Sequence, residues 1–178
     1  LDSYPLHEYS MYGAVPLASI KRTLLQLRDA GKLDRVRMLL LTNCTFDGIV
    51  YNVERFMEEC LAIKPDLVFL WDEAWFGFAR FGPTYRTRTA MSAAEKLRAK
   101  YRSAEYHAFY QTYLEEMESL ADGDSEALVN TRLYPDPDTV RIRAYATQST
   151  HKTLTALRQG SMIHVHDQDF SAKVEEPF

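Results

Sequence analysis

Residues 66–75 read DLVFLWDEAW, and the nature of this stretch decides the fold. From Leu67 to Trp71 it is apolar without alternation, the pattern of a strand buried on both faces rather than of a half-solvated antiparallel strand. Pro65 stops whatever precedes it. Upstream, Ile49 to Ile63 sets Val53, Phe56, Met57 and Cys60 on one helical face, and before that VRMLLLT (36–42) is a second apolar run of strand length. The turn-rich NCTFDG (43–48) links the two. Strand, helix, strand is the unit of a parallel sheet.

The same alternation extends in both directions. Pro16 to Ala30 carries Leu17, Ile20, Leu24 and Leu27 at helical spacing and meets Gly31 as a stop. SAAE at Ser92 to Glu95 reads as a capping box opening a long surface helix over 92–120, with a break as an option, ended by ADGDS. TVRIRAYA (139–146) alternates as a strand, THKTLTALRQG (150–160) reads as a short helix closed by Gly160, and SMIHV (161–165) as a last strand. The expected class is α/β: a mainly parallel sheet flanked by helices. The polar tail from Asp167 to Phe178 reads as a linker or truncated junction, and a chain that begins with Leu1 reads as a piece of a longer protein.

Composition narrows the function classes. The 178 residues are 46% hydrophobic and 12% aromatic, enough for one domain with a core. A net charge of -4, with pI near 5.7, argues against a nucleic-acid binder, which would carry a basic stripe. The longest apolar run is too short to span a bilayer. Cys44 and Cys60 form neither a disulfide framework nor a zinc-ligand spacing, so the expected home is a reducing cytoplasm.

In an open parallel sheet, ligands bind beyond the carboxyl ends of the strands. The residues there are Asn43, Thr45 and Asp47; then Asp72 and Trp75; then Ser149, His151 and Lys152. Lys152 is either a surface lysine or, held partly desolvated at a strand end, a nucleophile. A carboxylate at the end of an apolar strand needs a cation nearby. One solution is an Asp72–Lys152 salt bridge. The other is a bound aldehyde between them, joined to Lys152 and presenting a protonated ring nitrogen to Asp72, which describes pyridoxal 5'-phosphate.

MYGAVP (11–16), TNCTFDGIVYN (42–52), DEAW (72–75) and TQSTHKTLTALRQGSMIHV (147–165), in that order, resemble the bacterial ornithine/lysine/arginine decarboxylases. These belong to the aspartate-aminotransferase-fold group of pyridoxal phosphate enzymes. STHK is the most specific part, and the resemblance covers most of residues 11–165. It implies that residues 1–166 are part of the cofactor-binding large domain, with a helical insertion at about 85–135. It also implies that Lys152 forms the internal aldimine, Asp72 pairs with the ring nitrogen, Ala74 packs on the ring, Trp75 contacts the phenolic oxygen, and Ser149 serves the phosphate. His151 lies against the phosphate or substrate and, with Lys152, is a candidate proton donor; Asn43 falls near the phenolic oxygen. The implied substrate is a basic amino acid, the implied product a diamine or agmatine, and the implied assembly a homodimer or higher homo-oligomer.

The chain departs from that pattern in places. The ring-stacking histidine and the Ser/Thr-rich phosphate turn are expected before Leu1, and the C-terminal domain is absent. Glu73 stands where a small residue is expected and either points away from Asp72 or alters its titration. Two rivals remain: another enzyme of the fold, such as an aminotransferase, which would use the same Asp72 and Lys152, and a non-catalytic oligomerisation or regulatory module, which would bind no cofactor at Lys152. Among the other histidines, His107 reads as structural, His164 as a satisfied strand residue, and His166 with Asp167 as a metal pair lacking further ligands. No metal is expected. The tyrosine-rich face from Tyr101 to Tyr113 reads as core or interface rather than a platform for bases.

Overall fold

The structure, a computed structural model of the chain, describes residues 7–11, 13–118, 125–154, 157 and 159–170. Helix α1 (Leu17–Asp29) leads to strand β1 (Met38–Thr42), helix α2 (Val53–Ile63) and strand β2 (Val68–Asp72). Helices α3 (Ala90–Tyr101), α4 (Ala104–Glu118) and α5 (Ser125–Asn130) precede strand β3 (Arg143–Ser149). The one-turn helix α6 (Thr150–Thr153) and strand β4 (Ser161–Asp167) follow. The sheet runs β1-β2-β3-β4; the first three strands are parallel and β4 is antiparallel to β3. A short link suffices for β4 because an antiparallel neighbour needs no crossover.

Several element boundaries differ from expectation for local reasons. Helix α2 starts at Val53 rather than Ile49, because Asn52 caps it, its side chain accepting from Arg55 N. Helix α3 starts at Ala90: Thr89 Oγ1, not Ser92, accepts the capping bond, from Ser92 N. The 92–120 segment is two helices, since Ser103 caps the second through Tyr106 N. Strand β3 begins at Arg143 rather than Thr139, and the turn at 136–140 is closed by Val140 N donating to Asp136 O. Of the helix read over 150–160, only the first turn is described as helical, and Thr155, Ala156 and Arg158 lie outside the described residues. After β4, Ile142 N donates to Gln168 Oε1 and Arg141 pairs with Asp169. Residues 171–178 lie outside the described residues.

One face of the sheet carries the core. Leu41, Phe69, Trp71, Ala144 and Ala146 point to it, against α2 and α3. Helix α3 presents Ala90, Ala93 and Ala94 to β3, whose inward residues are also alanines, so backbone and helix approach closely. It is therefore a crossover helix of the β2–β3 connection and part of the core rather than a surface helix. The opposite face carries Met38, Leu40, Ile163 and Val165, all exposed. The helices that flank the sheet, α2 and α3, lie on the core face.

A buried charge cluster binds the helices together. Glu59, 1% exposed, receives Lys21 Nζ at 2.7 Å, Arg55 Nε at 2.7 Å and Arg132 Nη1 at 2.8 Å. Glu58 beside it is met by Lys100 and Arg132. Burial pushes Glu59 up, but the bonds from Lys21 and Arg55 outweigh that and hold its pKa below the ordinary value. Beyond the cluster, Tyr106, Tyr110, Phe109, Tyr113 and Tyr134 pack ring against ring. The tyrosine-rich face is thus largely an internal packing surface.

Candidate active site

The parallel register lines up Thr42, Asp72 and Thr147 in one row across the carboxyl ends of β1, β2 and β3. Side chains alternate along a strand, so Asp72 points to the open face and Glu73 to the covered one. Asp72 Oδ1 accepts from Ala74 N at 3.0 Å and from Thr147 Oγ1 at 3.1 Å, which fixes the carboxylate plane. Thr147 went unnoticed in the sequence because no spacing reveals it; only the β2–β3 register brings it to Asp72.

Ser149 ends β3 and Thr150 starts α6, anchored where its N–H donates to Gly160 O at 2.9 Å. His151 and Lys152 follow and are exposed, so Lys152 is not the desolvated amine that its position in sequence suggested. His151 Nδ1 lies 3.3 Å from Gly160 O. Lys152 Nζ sits 5.3 Å from the centroid of the Trp75 ring, a cation–π contact. Trp75 in turn meets Phe46 edge to face, at 5.8 Å between centroids, so the 43–48 turn buttresses it. Among the described residues Asp72 and Lys152 form no ion pair. Asp72 turns to Ala74 and Thr147, and Lys152 to Trp75.

Asn43 does not join this set. It is fully buried on the covered side, donating through Nδ2 to Glu73 Oε1 at 2.7 Å and to Arg88 O at 3.1 Å, while Oδ1 accepts from Tyr51 N at 3.1 Å. With donor and acceptor both engaged inside the protein, Asn43 ties the segments carrying Glu73, Arg88 and Tyr51 together. Glu73 Oε1 also accepts from Ala90 N at 2.8 Å, at the start of α3. Of the two options for Glu73, the structure takes the first: it points away from Asp72. Burial pushes its own carboxyl above the ordinary range, only partly offset by Asn43 and Ala90.

The remaining candidates fall into structural roles. His107 Nδ1 meets Ser103 O at 2.9 Å, and His164 Nε2 meets Gln148 Oε1 at 3.0 Å. His166 and Asp167 point to opposite faces: burial lowers the His166 pKa, and Asp167 accepts from Tyr145 Oη at 2.5 Å. No group of three or more metal-ligating side chains exists among the described residues. Cys44 and Cys60 are free and buried, and burial pushes Cys60 up to about 12. No helix among the described residues is long and apolar enough to cross a membrane.

Comparison with known proteins gives this geometry a family. Residues 6–109 match the family model described as Orn/Lys/Arg decarboxylase, major domain, and the chain belongs to that family. It is 31% identical over 128 residues to the biodegradative arginine decarboxylase of Escherichia coli (strain K12), covering 72% of this chain and 11% of that protein. A lysine decarboxylase of Pseudomonas aeruginosa is 27% identical over 167 residues, 90% of this chain and 16% of that protein. The inducible lysine decarboxylase of Escherichia coli (strain K12) is 24% identical over 159 residues, 88% of this chain and 16% of that protein. The chain thus spans only a small part of the length of the curated relatives it matches. No solved structure matches it.

Proposed function

We propose that the chain is part of the large domain of a pyridoxal 5'-phosphate-dependent decarboxylase with the aspartate-aminotransferase-like fold, acting on ornithine, lysine or arginine. Residues 1–166 belong to that domain, and the helical segment at about 85–135 is its insertion, of which α3 has been drawn into the core. The working protein is a homodimer or larger homo-oligomer in the cytoplasm. Support comes from the family membership and from the names of the relatives. It also comes from the row of polar groups at the carboxyl ends of three parallel strands.

The observation that carries the reading is the disposition of Asp72 and Lys152. They stand at the ends of neighbouring strand–loop units, each oriented by other groups and not spent on each other. The residues fit the cofactor. One oxygen of Asp72 is committed to Ala74 and Thr147, and the other has no partner among the described residues, free for a ring N–H. Lys152 Nζ is accessible to an aldehyde. Ala74 and Trp75 lie beside Asp72 to face the ring, and Ser149 and His151 flank the lysine turn where a phosphate would be met.

When bound, pyridoxal phosphate supplies an electron sink for the carbanion left at Cα as CO2 departs. Asp72 would face the ring nitrogen and favour its protonated form. Trp75 orients Lys152 and shields it from water on one side. Lys152 Nζ and His151 are the groups able to return a proton to Cα.

The test is a pyridoxal phosphate titration of the full-length gene product that contains this chain, then borohydride reduction and peptide mapping. Label confined to Lys152 and lost in Lys152→Ala is the expected result. Label scattered over Lys96 and Lys100, or none, refutes the reading and favours the non-catalytic module. Release of CO2 without a keto-acid acceptor separates a decarboxylase from an aminotransferase.

A further inference from the structure

Two of the described glycines, Gly31 and Gly48, have φ of 65° and 81°, where a side chain strains the backbone. Gly77 does not have a positive φ, so its lack of a side chain answers a different need. It opens the 3-10 turn Gly77–Phe81, and the one-turn helix that carries Lys152 rests on this turn. A Cβ at Gly77 would lie 2.8 Å from Thr153 Oγ1, 3.3 Å from Leu154 Cγ and 3.4 Å from Leu154 Cδ1. These are the two residues that follow Lys152.

We propose that Gly77 is a positioning residue for the Lys152 turn: its missing side chain is the seat into which Thr153 and Leu154 settle, and this fixes where Lys152 Nζ stands. The catalytic meaning of this rests on the function proposed for Lys152; the seating itself does not. Thr153 Oγ1 is buried there with no hydrogen-bond partner, so packing and not a polar contact holds it. Of the three staggered rotamers of a β-branched side chain, only the one that turns the Cβ hydrogen toward Gly77 relieves this contact, and it leaves the Leu154 contacts as they are. Two residues earlier, Trp75 holds the ammonium end of Lys152. The segment from Trp75 to Gly77 therefore grips the lysine turn at two points, the tip of the side chain and the backbone behind it.

An added methyl at Gly77 must be accommodated by turning Thr153 or by moving α6, and Leu154, at 3.3 and 3.4 Å, must also give by a few tenths of an ångström. Restoring ordinary contact distance to Thr153 requires a displacement approaching ~1 Å, and misplacement on that scale costs on the order of 10²-fold in rate. Removing the Thr153 hydroxyl relieves the closest contact without touching Lys152, which makes second-site rescue specific to this mechanism.

The experiment compares wild type, Gly77→Ala and Gly77→Ala/Thr153→Ala in the full-length gene product. Three readouts apply: borohydride-fixed label at Lys152, turnover, and pulse acylation of the cofactor-free protein mapped at Lys152 relative to Lys96. Gly77→Ala is expected to lower turnover by roughly 10- to 100-fold. It should also raise Lys152 acylation relative to Lys96, as the amine leaves the Trp75 ring, and the double variant should recover both. Acylation and turnover unchanged in Gly77→Ala, with wild-type label at Lys152, overturn the seating and leave the proposed function standing. A Gly77→Ala defect, including failure to fold, that Thr153→Ala does not rescue also overturns it. Absence of Lys152 label in wild type overturns the proposed function, while altered acylation in Gly77→Ala would still uphold the seating.

Discussion

Replacing Glu59 by Gln removes the charge at the centre of the helix cluster while keeping its shape. Lys21 is then left 2% exposed, with only the Thr131 carbonyl at 2.5 Å and a neutral amide for company. Breaking a buried pair from one side costs about 3–5 kcal/mol, because an uncompensated charge remains. Lys21→Met acts differently. Glu59 retains Arg55 at 2.7 Å and Arg132 at 2.8 Å, and methionine fills most of the lysine volume, so a cost of about 1–2 kcal/mol is expected. The double variant costs less than the sum, since neither charge is stranded. Urea unfolding followed by circular dichroism reads the difference directly. With a slope of roughly 2 kcal/mol/M, Glu59→Gln lowers the midpoint by about 2 M and Lys21→Met by less than 1 M. Because the folded-state pKa of Glu59 is depressed, its contribution is present above the ordinary carboxyl pKa and fades as pH falls through the folded value, so the Glu59→Gln penalty shrinks in acid. Equal costs for the two single variants would refute the view that Glu59 is the shared centre and Lys21 a replaceable partner.

Asp72→Ala should lower turnover of the full-length gene product by about 10²-fold or more, since a fixed charge at the reacting group is lost. Thermal melting should change little, because the side chain is only half-buried. Glu73 has a raised pKa in the folded chain, so the stability linked to its protonation is complete below the ordinary carboxyl pKa, about 4.3, and is lost as pH rises through the folded value. Glu73→Gln, which keeps an acceptor for Asn43 and Ala90, should therefore flatten the stability–pH curve above that point, and a steeper curve would contradict it. Glu73→Ala should instead cost roughly 2–4 kcal/mol in a denaturant titration, by stranding two buried donors. Tyr106→Phe removes the 2.8 Å bond to Pro135 O and should cost about 1–3 kcal/mol in the same assay.

The sequence by itself determined most of the order of elements and named most of the candidates for the proposed site. Apolar runs at 36–42 and 66–71 and the helical face from Val53 to Cys60 left little choice but a parallel unit, because periodicity is a local property of the chain. Asp72, Trp75, Ser149, His151 and Lys152 were legible for the same reason, each following a recognisable strand or lying in a recognisable short motif. Tertiary structure decided what depends on register and on the far side of the sheet. Thr147 reaches Asp72 only because Asp72 is paired with Thr147 across two parallel strands. Asn43, at a strand end like the others, points to the covered face, and Glu73 and Tyr51 use up its hydrogen bonds. Lys21, Glu58 and Glu59 carry no local mark of burial in the sequence, yet they are buried, because cations from α1, α2, α3 and the segment after α5 converge on two adjacent carboxylates. Strand periodicity tells which residues share a face, but which partner covers that face is fixed by contacts between segments far apart in the chain.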